Sequence, residues 1–393
     1  MKKVIITDLL ILTVFGSTCF WSVKKDRLTA LVDKILTEQT SEDEEILVLT
    51  SSNLAKKNGQ IEETQMSENA DKESEENTTK DYIKWVDFTV SKFALTESYE
   101  YDRDTYGTDR HISWIDLLAW TAAHTGGKFG DDRTVCKCME ELEMEAEAGK
   151  KLEELTEDLE YFPYYREVYE TVLGGMVGEY EIEEPDAQGR KVTQKRYGLK
   201  AFHPIAKGFP YTDYDDFGAS RSYGYRREHL GHDMMGQVGT PVVCVESGYV
   251  EALGWNQYGG WRIGIRSFDK KRYYYYAHLR QGFPYQPELK EGSVVLAGDV
   301  IGYMGHTGYS TKEDVNNIDQ THLHVGMQLI FDESQKDSDN EIWIDCYQIM
   351  GFLYRNQSET ARNDETKEWR RIYEMKDPAA EKYERTLDFS MYP

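Results

Sequence analysis

Pro241-Val242-Val243-Cys244-Val245 and Trp261-Arg262-Ile263-Gly264-Ile265 share one texture, short β-branched and aromatic runs set off by glycines. Arg272 to Ala277 and Val294-Val295-Leu296 repeat it. Short strands at regular spacing with Gly-rich turns predict an antiparallel all-β domain, barrel-sandwich-like in build. Working outward, the texture begins after the turn-like cluster Pro185-Asp186-Ala187-Gln188-Gly189 and runs from about Phe202 to Asp332, which sets this domain at 184–335.

The residues before it read differently. Ile112, Ile115, Leu118, Ala119 and Ala122 recur at helical spacing, with Ser113 and Asp116 as a capping pair and Gly126-Gly127 as the stop. Val135, Met139 and Leu142, then Val168, Tyr169, Val172 and Leu173, mark further helices, so 81–183 is expected to be a helical domain. The predicted fold class is α+β in two domains, helical first and all-β second. Trp343 to Tyr354 reads as one closing helix, and beyond Asn356 the tail is charged, with at most a loosely docked helix, giving a final segment at 336–393.

Between about Glu38 and Lys80 the chain is mostly Glu, Asp, Ser, Asn, Thr and Lys, as in Asp71-Lys72-Glu73-Ser74-Glu75-Glu76. Such a stretch buries too little apolar surface to offset its ordering entropy, so 25–80 is expected to be an acidic solvated linker. Met1-Lys2-Lys3 followed by a mostly apolar run to Val23 reads as a signal peptide or membrane anchor over 1–24, and implies an extracytoplasmic place in the cell envelope. Asp8 and several small polar residues interrupt the run, which a full membrane span would keep apolar for about 20 residues.

A formal net charge of -25 excludes a nucleic-acid partner, because a polyphosphate rewards a basic footprint that is absent here. Cys19, Cys136, Cys138, Cys244 and Cys346 form neither a regular disulfide framework nor a paired CxxC zinc signature.

Histidine is concentrated in the β domain: His203, His229, His232, His278, His306, His322 and His324. In His322-Leu323-His324, which opens a strand-like run, residues two apart point to one face and can reach one metal. In His229-Leu230-Gly231-His232-Asp233 the surrounding glycines favour an extended path, on which His229 and Asp233 share a face and His232 points away. Imidazole and carboxylate are both zinc ligands, and adding one histidine of the HxH pair gives three protein ligands with a fourth position open, the arrangement of a catalytic site. His232 is the alternative ligand. His278, in Tyr275-Tyr276-Ala277-His278-Leu279, ends an aromatic strand and reads equally as a histidine packed under tyrosines.

From Phe217 to Leu329 the chain resembles the lysostaphin-like (LytM-type) zinc endopeptidases. The landmarks occur in order: His229-x-Gly231-x-Asp233, Gly239-Thr240-Pro241-Val242, Ser247-Gly248-x-Val250, Gly259-Gly260, Tyr276-Ala277-His278-Leu279, Gly305-x-Thr307-Gly308 and His322-Leu323-His324. The resemblance implies one Zn2+ per chain held by His229, Asp233 and His324, with His278 and His322 acting on the bound water and the developing oxyanion. It also implies a zinc metalloendopeptidase that cuts peptide stems or bridges of peptidoglycan. Arg221, Tyr223 and His306 are expected along the substrate groove. The chain departs from the family pattern at Gln320-Thr321 before HxH and at Val325-Gly326 after it. Competing readings are an envelope scaffold or regulator without turnover, a peptidase acting on a secreted protein, and a wall-opening component of a larger machine. In the last, the helical domain would dock an envelope protein partner.

Overall fold

The structure, a computed structural model, describes residues 86, 88–223, 225–336, 338 and 340–390, leaving aside the side chains of 223, 225, 226 and 388–390. The described residues all fall within one compact unit, 78–393. The expected signal or anchor (1–24) and the acidic linker (25–80) lie outside the described residues. Among the described residues no helix is long and apolar enough to cross a membrane.

Five helices come first: α1 (Lys92–Thr105), α2 (Trp114–Thr125), α3 (Asp132–Glu147), α4 (Leu152–Thr156) and α5 (Phe162–Leu173). α2 starts where Ser113 Oγ accepts from the Asp116 amide (3.1 Å) and ends at Gly126, whose φ of 63° only glycine adopts cheaply. The helical expectation for 81–183 stops short, because β1 (Val177–Pro185) pairs antiparallel with β2 (Lys191–Leu199). β1 alternates Glu179, Glu181 and Glu183 with Tyr180 and Ile182, and these two pack against the small apolar cluster of Phe202, Ala206, Val243, Ala297 and Met375. Its glutamates also meet cations of β2, with Lys191 Nζ donating to Glu183 (3.1 Å) and Arg196 to Glu184.

The strands that follow are β3 (Thr212–Asp213), β4 (Ser220–Tyr223), β5 (Tyr225–Glu228), β6 (His232–Met235), β7 (Pro241–Val243), β8 (Gly248–Asn256) and β9 (Gly260–Ser267). After them come β10 (Arg272–Ala277), β11 (Val294–Val295), β12 (Val300–Tyr303), β13 (His322–Leu329) and β14 (Ile342–Trp343). An antiparallel sheet runs β11-β8-β9-β10-β13-β6-β3, with β14 also on β13, and β12 pairs β7 separately. The fold is therefore α+β, with helices first and a mostly antiparallel sheet after them.

The closing helix is shorter than its sequence suggests: only α6 (Tyr347–Leu353) is helical, and Trp343 is a strand residue whose ring covers the backbone of Gly326. The tail is no loose appendage. It forms β15 (Thr360–Arg362), β16 (Trp369–Arg371), β17 (Met375–Lys376) and α7 (Pro378–Ser390). β17 extends the β1–β2 sheet, and Arg371 Nη1 donates to the Ala297 carbonyl (2.9 Å). Its charge made the tail look solvated, but the buried contacts come from sparse residues such as Met375.

One apolar core joins helices and sheet, with Leu95, Trp114 and Leu173 in the same cluster as Val245, Tyr276 and Phe352. Beside it lies a buried ionic junction. Arg272, 1% exposed, donates to both Glu246 oxygens (2.8 and 2.9 Å), to Asp269 (2.8 Å) and to the Thr171 carbonyl near the end of α5 (2.6 Å). Tyr274 adds a hydroxyl donor to Glu246 (2.7 Å). A fully satisfied pair of this kind fixes geometry more than it adds net stability, but breaking it leaves a charge stranded. Arg272→Ala is therefore expected to lose about 3–5 kcal/mol in urea unfolding. Arg272→Met/Glu246→Leu, which removes both charges, is expected to recover most of that loss.

His203 is fully buried, its Nδ1 accepting from the Ile205 amide (3.1 Å), and burial pushes its pKa down to about 4. The folded state thus refuses a proton that the unfolded chain takes up near pH 6.5. The contribution is intact above that pH and is lost as pH falls toward 4. His203→Asn should flatten the stability–pH slope over that window by up to about 1.4 kcal/mol per pH unit, measured by urea unfolding at stepped pH.

Candidate active site

β13 lies between β10 and β6, and that placement assembles the site. His324 is opposite Asp233 on one side and Ala277 on the other, while His322 is opposite Met235. The strand's period of two turns His322, His324, Gly326 and Gln328 to one face. Leu323, Val325, Met327 and Leu329, all fully buried, fill the core on the other. His278 follows β10 directly and holds a left-handed φ of 61°, an uncommon conformation for a side-chain-bearing residue. His229 precedes β6. Between it and Asp233 the chain passes against the His324 ring so closely that a Cβ on Gly231 would lie 2.5 Å from Nε2.

Three donor atoms converge. His229 Nε2 lies 3.0 Å from Asp233 Oδ1 and 3.0 Å from His324 Nδ1, and His324 Nδ1 is 2.9 Å from Asp233 Oδ1. They are the one group of three such donors within reach of a common ion among the described residues. His229 Nδ1 donates to the Asp216 carbonyl (3.2 Å), with the Asp216 carboxylate 3.1 Å away, so its Nε2 lone pair faces the other two. Two imidazole lone pairs and a carboxylate, pointed at one another in a buried place, suit zinc: a tetrahedral set at 2.0–2.1 Å has edges of roughly 3.3 Å. Burial works to raise the Asp233 carboxyl, but the imidazoles of His229, His324 and His322 around it outweigh that and hold the group well below the usual carboxylate range. Burial lowers His324, against the pull of Asp233, and so favours the neutral ring that a metal needs.

His278 and His322 stand beside this set, their rings 4.7 Å apart. His278 Nδ1 donates to the Thr307 carbonyl (2.9 Å) and His322 Nδ1 to the Gln320 carbonyl (2.9 Å). A carbonyl only accepts, so in each neutral ring Nε2 carries the lone pair. Burial, then His322 and His324, push His278 well below the ordinary histidine range.

The remaining expected residues separate. Arg221 lines the groove, donating to Asp216 and to Asp233 Oδ2 (3.4 Å). Tyr223 is in β4, but its side chain lies outside what is described. His306 is not among the groove-lining residues, and its Nδ1 donates to the Ile318 carbonyl (2.8 Å). His232 points away from the donor set, its Nε2 2.9 Å from Asp213 Oδ2. The groove is a cavity of about 600 Å³ whose walls include Arg227, Tyr258, Arg262, Tyr275, Tyr309 and Trp343. None of these, nor Asp216, carries a spacing signal that sequence could expose; each arrives through the strand register.

Residues 227–338 match the profile of Peptidase family M23, so the chain carries a peptidase M23 domain. Over 124 residues the chain is 42% identical to the L-Ala–D-Glu endopeptidase of Bacillus subtilis (strain 168), covering 32% of this chain and 36% of that one. Over 84 residues it is 39% identical to the lysostaphin of Staphylococcus simulans, covering 21% of this chain and 16% of that one. The chain thus spans well under half the length of either curated relative. Among solved structures, a LytM chain from Ruminococcus gnavus ATCC 29149 superposes with a TM-score of 0.43 at 22% identity, covering 68% of this chain and 98% of that one.

Asp233 is the donor shared by both histidines, so Asp233→Asn is expected to weaken zinc binding at least about tenfold, read as metal content after dialysis against a chelator series. Circular dichroism should stay unchanged.

Proposed function

We propose that this protein is a zinc-dependent endopeptidase that hydrolyses peptide cross-links of peptidoglycan, acting outside the cytoplasm in the cell envelope. The observation that carries the reading is the convergence of His229, Asp233 and His324 beside two imidazoles whose Nδ1 atoms are tied to carbonyls, in the groove of an M23 domain. One curated relative is, by name, an L-Ala–D-Glu endopeptidase, and the other is lysostaphin. In this reading 184–335 is the peptidase domain, barrel-sandwich-like in its sheet packing, and 81–183 is a domain of helices up to Leu173 followed by most of β1.

His229, Asp233 and His324 would hold the ion. Bound zinc supplies a Lewis acid and lowers the pKa of its water to about 7. The chain's own residues do the rest. Asp216 and Arg221 hold His229 and Asp233 in place. His278 and His322, with Nδ1 tied to carbonyls, present Nε2 toward the groove. One accepts the proton from the attacking water and passes it to the leaving amine, and the other, once protonated, donates to the oxyanion. The left-handed backbone at His278 and its buried bond to Thr307 fix that ring before substrate arrives, so little reorganisation is left for the reaction.

The full chain, loaded with zinc and incubated with purified peptidoglycan of several cross-link types, should release fragments with new peptide amine ends, identified by mass. Asp233→Ala should abolish release and lose zinc. His278→Ala should keep zinc and slow turnover by about 10²–10⁴-fold. Full turnover in His278→Ala would remove that residue from the chemistry. Absence of cleavage of every wall by the zinc-loaded protein would overturn the peptidoglycan reading.

A further inference from the structure

The cations of the groove divide into two kinds. Arg221 is paired with Asp216 and Asp233, and Lys336 with Glu251 (3.0 Å). Arg227 and Arg262 form no ion pair with any carboxylate among the described residues; of the groove's other acids, Glu341 accepts from Trp343 Nε1 (2.8 Å) instead. Arg227 Nε and Arg262 Nη1 are buried donors with no hydrogen-bond partner. In a chain with a formal net charge of -25, two guanidinium groups without a carboxylate in one groove need an explanation. Elsewhere the buried arginines Arg266, Arg272 and Arg371 all have acidic partners. An unmet buried N–H is costly, and functional sites are where proteins retain such groups.

Both groups are held in place. Arg227 stacks on Tyr258 (5.3 Å) and Tyr309 (5.1 Å) and donates to the Tyr309 hydroxyl. Arg262 shares a face of β9 with Gly264, which is opposite Tyr275 and whose missing side chain makes room for the Tyr273 ring. Tyr275 links this corner to the donor set. Its ring meets His324 edge-on at 5.9 Å, and its hydroxyl accepts from Asn256 Nδ2 (3.0 Å). Burial raises the Tyr275 phenol, and Arg262 and Arg227 both act against that rise, so both cations lie close to it. A peptide with its scissile carbonyl at the donor set would reach this corner within roughly two residues, at ~3.3 Å per extended residue.

We infer that Arg262 and Arg227 form a subsite for a free carboxylate carried by the substrate peptide next to the bond that is cut. This rests on the peptidase reading above and narrows its substrate to acidic peptides. A guanidinium fork matches a carboxylate in shape and charge and would fill both unmet donors, whereas a carboxamide offers one acceptor and turns two further N–H donors toward two cations. The subsite therefore selects against amidation of that carboxylate as much as it selects for the acid.

The test uses the full zinc-loaded chain and two probes, L-Ala-γ-D-Glu-L-Lys-D-Ala and the same peptide with its glutamyl α-carboxylate amidated. Cleavage is followed by mass. Binding is followed by calorimetry in the His278→Ala background, in which cleavage is slow on the time of the titration. The acid peptide should exceed its amide about 10- to 100-fold in affinity and in kcat/KM. Arg262→Met should erase the difference, and Arg227→Met should reduce it, with zinc content and far-UV circular dichroism equal to the parent's as the control for folding. Equal binding of the two peptides, or a preference that survives Arg262→Met, overturns the subsite. Preferential binding that Arg262→Met abolishes, with no cleavage, supports the subsite and overturns the peptidase reading. Equal cleavage does the reverse, and neither binding nor cleavage overturns both.

Discussion

The register of β13 is the constraint from which the rest follows. A strand has one choice of which face meets the core, and a slip of one residue would exchange the two faces completely. Leu323, Val325, Met327 and Leu329 are all fully buried, so the apolar face admits no alternative. Hydrophobic burial on one side thus sets, with no further interaction, the direction of His322, His324 and Gln328 on the other. Because β13 has β10 and β6 as neighbours, the same register brings Asp233 and the end of β10 alongside. The chemistry is aligned by the oil beneath it.

The helical part bears on this arrangement through the start of β10. Arg272 opens that strand while its guanidinium reaches Glu246 and the carbonyl near the end of α5. Burying so much charge brings little net stability, but it allows few alternative geometries. Six residues further on, just past the strand's end, comes His278. The tail contributes in the same sense, with β17 closing the edge of the β1–β2 sheet and Arg371 tied to Ala297 and Asp299.

What sequence made legible was whatever depends on local spacing. Alternation within His322-Leu323-His324 and the His229-x-x-x-Asp233 interval are properties of one strand or one turn, and the geometry follows them. The capping of α2 was readable for the same reason. Long-range features were not. Asp216 meets His229 across a turn with no periodic signature, and Arg262 reaches the groove only because β9 is second neighbour to β13. Glu-rich β1 and the charged tail misled because their order comes from pairing with distant segments, and polarity there measures solvent contact poorly. Trp343 looked helical beside α6, but its ring is called to the sheet by the bare backbone of Gly326.

Four cysteines among the described residues are all free thiols. Cys244 and Cys346 are sealed in the core, and burial drives both thiols upward, so thiolate, the form that oxidants attack, is scarce. No disulfide links the cysteines of the described part. Its folding needs no thiol oxidase or isomerase, and reductants have no covalent link there to break.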